Sequence, residues 1–249
     1  MIQKKMNAGL AILNILIPFI FFVHQTSWLW LLAIIQCLIL AYFYTTDSTF
    51  FVHSIFWPIF LVFLLILPWP SAFIVPLILY FGLLSSLKKT QNKITWLKPG
   101  QINRRTLWLM IPTILISSGA LILWVVLLEP DLIDLFQQIP NSSLSGILII
   151  GIIFSIFNSI WEEFILKGIL WNGLEQIIKR PIQVNILQSA LFGIMHWNGF
   201  PRGMVGAVLA AIYGLLLGFI RKESKGMLAP VITHFFADAT IFGILIFLH

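Results

Sequence analysis

The stretch Ile147–Leu170, which reads ILIIGIIFSIFNSIWEEFILKGIL, decides the fold of this chain. A helix needs about 20 apolar residues to cross a hydrocarbon core of roughly 30 Å, and this stretch is long enough. Near its end, Glu162, Glu163 and Lys167 interrupt the apolar run. Charged groups at such depth are costly unless they are paired or hydrated. The stretch therefore predicts a membrane-spanning helix that carries functional charges.

The rest of the chain has the same apolar character. Hydrophobic residues make up 59% of the 249 residues and charged residues only 10%, with a mean hydropathy of +0.99. This composition lies outside the range of soluble domains. We therefore expect an all-α fold, a polytopic transmembrane helical bundle of about nine spans. The predicted spans lie near Ala8–Val23, Trp28–Tyr44, Phe50–Leu67, Ala72–Leu87, Thr106–Leu128, Ile147–Leu170, Ile186–Trp197, Met204–Ile220 and Leu228–Leu248.

Basic residues predict the orientation of the bundle. If the N-terminus lies in the cytoplasm, the positive charges gather on the cytoplasmic side, as the positive-inside rule requires. These residues are Lys4, Lys5, Lys88, Lys89, Lys93, Lys98, Arg104, Arg105, Lys179, Arg180, Arg221, Lys222 and Lys225. The acidic and polar segment Glu129–Gly146 then falls on the opposite side. We expect a multi-pass protein of the plasma (inner) membrane, bacterial in origin, with no nucleic-acid partner despite a pI near 9.6.

The chain changes character near Arg105. Residues 1–105 are predicted to form an N-terminal membrane region of four spans, which carry almost no ionisable side chain and whose role the sequence leaves open. Residues 106–249 carry the ionisable groups at membrane depth, so we expect the chemistry there. Cys37 is the single cysteine and lies in an apolar run, which argues against an internal disulfide and against cysteine chemistry.

The two adjacent carboxylates of the sixth span are predicted to do different work. Neighbouring residues of an α-helix point about 100° apart. Glu163 and Lys167 are four residues apart with the acid first, an order that favours an ion pair within the helix. This pair is expected to be structural and to orient the helix. Glu162 has no such partner, which suits a general base in a cavity, although a structural hydrogen bond between helices is the alternative.

Two histidines and an aspartate complete the set of candidates. His196 follows Phe192 by one helical turn, close to the end of a short span, where it serves either a site or the membrane interface. His234 and Asp238 are four residues apart on one face of the last span. Two polar groups at that depth need a shared cavity or a mutual structural bond. The seventh span is too short for a straight crossing, so we expect its helix to begin earlier, near Gln183, and to tilt.

Together these segments resemble the CPBP family of membrane proteins, which includes the CAAX proteases and bacteriocin-processing proteins. The family pattern is Glu-Glu-xxx-Arg, then Phe-xxx-His, then His-xxx-Asn or Asp, and it is matched here within about Gly146–Gly243. The resemblance implies that Glu162 and His196 activate a water molecule. It also implies that His234 stabilises an oxyanion and that Asp238 assists it.

The chain departs from the family pattern at two positions. Lys167 replaces an arginine, which keeps the charge and loses the planar fork. Asp238 stands where the prenyl-endopeptidase branch has asparagine, and an ionised carboxylate would repel an oxyanion. We therefore expect Asp238 to orient His234. The site is expected between the cytoplasmic half and the midplane, although the predicted boundaries put His196 and His234 at unequal depths.

The predicted function is a glutamate-dependent intramembrane endopeptidase. Its expected partners are a membrane-associated protein or peptide substrate and the lipid bilayer, and no cofactor is expected. One alternative is a zinc-dependent protease that uses the same side chains as ligands, although the ligand spacing of zinc proteases is missing. Another is a catalytically silent scaffold that binds a partner membrane protein. A proton-coupled transporter is disfavoured because the halves show no repeat. The sequence predicts neither the natural substrate nor the oligomeric state.

Overall fold

A computed structural model describes residues 2–86, 94–137, 139 and 141–248. Over these residues the chain is helical and contains no strand, which confirms the all-α prediction. The basic residues Lys88, Lys89 and Lys93 lie outside the described part of the chain. The α-helices are α1 (Ile2–Leu16), α2 (Leu29–Thr46), α3 (Ser48–Ser54), α4 (Phe56–Ile66), α5 (Ser71–Ser86), α6 (Arg104–Leu128), α7 (Ile133–Phe136), α8 (Leu144–Glu163), α9 (Trp171–Glu175), α10 (Pro181–Met195), α11 (Gly203–Ser224) and α12 (Leu228–Leu248).

Seven helical segments of the described chain are long and apolar enough to cross a membrane. They are Gln3–Phe22, Leu29–Thr46, Ser48–Ile66, Arg104–Leu128, Leu144–Glu175, Gly203–Ser224 and Leu228–Leu248. The other two predicted spans are shorter apolar helices, α5 and α10. The chain is therefore a multi-pass membrane protein, while the count of nine crossings and the N-in orientation stay predictions. Helix α10 begins at Pro181, so it does start before Gln183 as expected.

The third predicted span is divided into α3 and α4 because of a proline. Pro58 has no N–H, so it cannot donate to the carbonyl of Ser54 four residues earlier. The helix breaks at Ile55, directly after Ser54. The free Ser54 carbonyl accepts a hydrogen bond of 3.0 Å from the buried side chain of Asn14 on α1. A polar residue of the first span thus satisfies the backbone of the third, as a low-dielectric interior requires.

The helix that carries the two glutamates changes its winding directly after them. Phe164–Leu170 forms a π-helical segment between α8 and α9. Such wider turns are rare and are frequently found at functional sites. Within the segment, the ring of Trp96 lies so close to Gly168 that a Cβ atom there would overlap it. Glycine is therefore required where the segment before α6 packs against the π-helical turn.

Helices α10 and α11 pack closely through small residues. A Cβ on Gly214 would meet the ring of Phe192, and a Cβ on Gly218 would overlap the side chain of Asn185. Asn185 donates a hydrogen bond of 3.1 Å to the carbonyl of Leu215 across this contact. The small residues of α11 thus let polar side chains of α10 reach the backbone of α11.

The largest apolar core joins the two halves of the chain. It contains Phe56 and Trp57 from the first half together with Ile165 and Trp171 from the second, all of them buried. The first four spans thus pack directly against the helix that bears the glutamates. This packing sets one wall of the cavity described next.

Candidate active site

A cavity of about 1480 Å³ lies between the two halves of the bundle. Glu162, His196, His234 and Asp238 all line it. The structure therefore brings the four candidate residues together, although the sequence placed His196 and His234 at unequal depths. Helix α10 is short and ends at Met195, so His196 lies at its C-terminal cap.

His234 occupies the centre of the site and meets three carboxylates. Its Nδ1 lies 3.0 Å from Oε1 of Glu163, and because a carboxylate only accepts, Nδ1 carries the proton of this hydrogen bond. Its Nε2 lies 3.7 Å from Oε2 of Glu162 and 3.7 Å from Oδ1 of Asp238. The imidazole is buried. His234 therefore has one fixed nitrogen and one that faces the cavity carboxylates.

The carboxylate that holds the imidazole of His234 is Glu163 and not Asp238. We expected Asp238 to orient the ring, but its 3.7 Å separation from Nε2 is too long for a hydrogen bond. Glu163 also meets Lys167, whose Nζ lies 3.7 Å from Oε1 of Glu163, so the expected ion pair is confirmed. The pair is fully buried. Glu163 therefore balances the buried charge of Lys167 and also fixes the ring of His234.

Glu162 has the free carboxylate of the site. It is 8% exposed, and its Oε2 is buried without a hydrogen-bond partner among the described residues. A buried carboxylate oxygen without a partner is costly and needs a bound molecule or a proton to satisfy it. Oε2 is also the atom that faces Nε2 of His234. The geometry therefore leaves this oxygen of Glu162 available to a polar molecule in the cavity.

His196 is held through its Nδ1. This atom lies 2.9 Å from the carbonyl of Phe192, one helical turn earlier. A carbonyl oxygen only accepts, so Nδ1 bears the proton and Nε2 of the neutral ring keeps its lone pair. The Phe192 ring lies between the two histidines, 4.4 Å from the ring of His196 and 5.8 Å from that of His234. The ring of Phe192 thus separates the two imidazoles, and its backbone carbonyl holds the imidazole of His196.

Two further residues of the site escaped the sequence analysis. Asn158 lies one helical turn before Glu162, lines the cavity, and donates a hydrogen bond of 3.2 Å to Oδ2 of Asp238. Tyr213 donates to the carbonyl of Thr233 and places its ring 5.6 Å from that of His234. The spacing of four residues between Asn158 and Glu162 was the available signal. Tyr213 has no comparable signal in the sequence.

A metal site requires at least three suitable ligands. Among the residues that the structure describes, no group of three or more His, Cys, Asp or Glu side chains is arranged to hold a metal ion. Nδ1 of His234 and Nδ1 of His196 are both engaged within the protein. These bonds leave Nε2 of each ring as the available donor, and zinc-binding histidines are commonly held through the other nitrogen in this way, so the zinc-dependent alternative needs a direct test.

Comparison with known families tests the origin of this arrangement. Residues 144–240 match the family model described as type II CAAX prenyl endopeptidase, Rce1-like. Residues 144–240 are therefore similar to the CAAX proteases, and they are called the CAAX protease segment below. The matched segment contains Asn158 and all six residues predicted for the site, and it begins after the N-terminal region. No curated protein and no solved structure matches the chain significantly.

The CAAX protease segment gives the site a chemical class. This family is one of membrane proteases, so the match supports a peptidase and implies a peptide or protein substrate within a lipid bilayer. The first half of the chain lies outside the match, yet it packs on the CAAX protease segment and lines the same cavity.

Proposed function

We propose that this protein is a glutamate-dependent intramembrane endopeptidase that hydrolyses a peptide bond in a membrane-associated protein or peptide. The observation that carries the proposal is the Oε2 atom of Glu162, which is buried and has no hydrogen-bond partner among the described residues. This atom lies on the same cavity as both histidines. A carboxylate in that position can hold a water molecule and accept its proton.

The attack uses Glu162 and His196 as the groups that activate water. Glu162 takes a proton from the water molecule. At the same time the water oxygen forms a bond to the carbonyl carbon of the substrate, and the carbonyl electron pair moves to the carbonyl oxygen. Nε2 of His196 keeps a lone pair because Nδ1 is bound to Phe192. That lone pair accepts a hydrogen bond from the second O–H of the water and so fixes the orientation of the water.

The oxyanion that forms is stabilised by His234. When both nitrogens of His234 are protonated, Nδ1 donates to Glu163 and the N–H of Nε2 points towards the cavity. Donors held in place before the reaction stabilise a developing negative charge without further reorganisation. The tetrahedral intermediate then breaks its carbon–nitrogen bond, and the proton held by Glu162 passes to the departing amine. No covalent bond to the protein is needed.

The short loops and the distribution of basic residues favour the plasma membrane of a bacterium as the location. The substrate is then a protein or peptide of that membrane.

The test compares wild-type protein with Glu162→Gln, expressed at equal levels in the native host, by mass spectrometry of the termini of membrane proteins. The amide keeps the shape of the side chain and removes the base. We expect some termini to disappear in Glu162→Gln. The matched control is Glu175→Gln, because Glu175 is an exposed acid of the same helical segment that does not line the cavity. If no terminus depends on Glu162, the proposal fails and the scaffold becomes the better hypothesis.

A chelator distinguishes the zinc-dependent alternative. Cleavage by purified protein should survive a chelator at a concentration that removes zinc from a tetrahedral site. Chelator-sensitive cleavage with stoichiometric zinc would assign the water activation to a metal.

A further inference from the structure

We propose that the substrate reaches this site from the non-cytoplasmic side of the membrane, so that the scissile segment is an externally exposed polypeptide. The inference rests on the proposed function, because it assumes that the protein cleaves a substrate. Its structural part, the direction in which the cavity opens to water, stands without it.

The mouth of the cavity is built from four loops at one end of the bundle. Its lining includes Gln25 from the loop after the first span, Trp69 before α5, Asp134 before α8 and Asn198 between α10 and α11. All four side chains are exposed. Three of them are polar, as expected for a mouth that meets water. The cavity thus runs from these loops down to Glu162 and His234.

Hydrogen bonds between these loops show that they lie together at the mouth. Asn198 donates a hydrogen bond of 2.9 Å to the carbonyl of Phe22, at the end of the first span. Arg202 forms a double hydrogen bond with Asp134, with distances of 2.9 and 3.0 Å. The loops after α1, α6 and α10 are therefore held together at the mouth of the cavity.

The opposite end of the cavity is closed by buried side chains. Below the site, Lys167 and Trp171 are almost completely buried. Arg221 on α11 donates to the carbonyl of Lys167 and stacks 4.7 Å from the Trp171 ring. None of the described residues of segments 94–103, 176–180 and 221–227, which form this end of the bundle, lines the cavity. A peptide at this end therefore has no open path to Glu162.

The charges of the two ends show which one faces the cytoplasm. Segment 94–103 pairs with the turn between α11 and α12, where the N–H of Met227 donates to the carbonyl of Lys98 at 2.8 Å. This closed end carries Lys98, Arg104, Arg105, Lys179, Arg180, Arg221, Lys222 and Lys225. At the mouth, the basic side chain is Arg202, which is paired with Asp134. By the positive-inside rule the closed end is cytoplasmic and the mouth is external.

This direction of access changes the class of substrate. A polypeptide whose cleaved end stays in the cytoplasm would have to cross the closed end of the bundle. A segment already translocated, or the outer end of a membrane helix, meets the open mouth. The site lies nearer the cytoplasmic end of α12, with His234 in its second turn, so the substrate enters deeply before it is cut.

Thiol accessibility tests the direction without any substrate. In a Cys37→Ala background, Ser117→Cys places a near-isosteric thiol on the cavity wall at mid-height of α6. A charged, membrane-impermeant thiol reagent should modify it in intact cells, and inside-out vesicles should show a loss of labelling. Gln25→Cys reports the external face and Gln101→Cys the cytoplasmic face, because both positions are exposed. Labelling of Ser117→Cys from the cytoplasmic face alone, or of Gln25→Cys from that face, would overturn the inference.

Mapping of the cut termini supplies the second arm. Every terminus lost in Glu162→Gln should map to the non-cytoplasmic side of its membrane protein. Glu162-dependent termini in cytoplasmic segments would refute the direction of access while leaving the protease intact. If no terminus depends on Glu162, the proposed function fails, and the thiol labelling still decides the direction of access.

Discussion

In the contact between Asn158 and Asp238, the hydrogen-bond donor and the acceptor should be exchangeable. The amide of Asn158 donates to Oδ2 of Asp238 at 3.2 Å, which leaves Oδ1 of Asp238 facing Nε2 of His234. Loss of a buried hydrogen bond to a charged group costs about 1.5–3 kcal/mol. Because about 1.4 kcal/mol corresponds to a tenfold change in rate, Asn158→Ala should slow cleavage by roughly 10- to 100-fold.

The exchange of donor and acceptor sharpens this prediction. Asn158→Asp alone sets two carboxylates against each other, and at the observed 3.2 Å an effective dielectric constant of about 20 gives a repulsion of about 5 kcal/mol. Cleavage should then fall below detection. The double variant Asn158→Asp/Asp238→Asn restores one donor and one acceptor across the same contact. We therefore expect it to recover at least about tenfold over Asn158→Asp.

The assay is the yield of Glu162-dependent termini per folded protein. Asn14→Ala is the matched control, because Asn14 is a buried asparagine that also donates one hydrogen bond and does not line the cavity. It should affect the amount of folded protein and leave the yield per folded molecule unchanged. Equal activity of Asn158→Asp and the double variant would refute the reasoning, since the pair would then not interact in the working site.

Three further predictions follow from buried or bridging contacts. Lys167→Met strands the buried charge of Glu163 and should cost about 3–5 kcal/mol of stability in a detergent unfolding assay, whereas adding Glu163→Gln should restore stability without activity. Gly218→Leu should force α10 and α11 apart and cost about 1–3 kcal/mol in the same assay. The hydrogen bond from Arg202 lowers the pKa of Asp134, so their ion pair should persist at neutral pH and be lost as the pH falls below the usual aspartate range. A spin label on that loop should gain mobility only in acid, and in Asp134→Asn it should be mobile at every pH.

The ionisable residues of the site could be predicted from the sequence because placing them in an apolar membrane span costs free energy. Glu162, His234 and Asp238 stand in apolar stretches where an ionisable side chain survives only with partners or water. That argument needs no tertiary information, and the structure places these residues on one cavity. The helix boundaries followed from the same apolar pattern. The division of the third span at Ile55 was missed, although Pro58 was visible, because a proline can also be accommodated within a continuous helix.

The pairing of the carboxylates could not be predicted from the sequence. Spacing along one helix suggested Asp238 as the partner of His234, and the hydrogen bond is instead made by Glu163 from another helix. Which carboxylate meets Nδ1 depends on how α8 and α12 are rotated about their axes, and that rotation is set by packing. Asn158 escaped for another reason. An uncharged amide in a membrane helix costs far less than a charge, so its spacing of four residues from Glu162 was only a weak signal.

The structure also gives the first four spans a physical task that the sequence left open. Phe22, Trp69 and Phe73 line the cavity opposite the CAAX protease segment. The ring of Trp69 lies 5.6 Å from that of Phe154 and 6.5 Å from that of Trp161, one residue before Glu162. These rings close the side of the cavity that α8 would otherwise expose to lipid. Because a general base and its water need a bounded, hydrated space, the ionisable groups of the second half depend on an apolar wall supplied by the first.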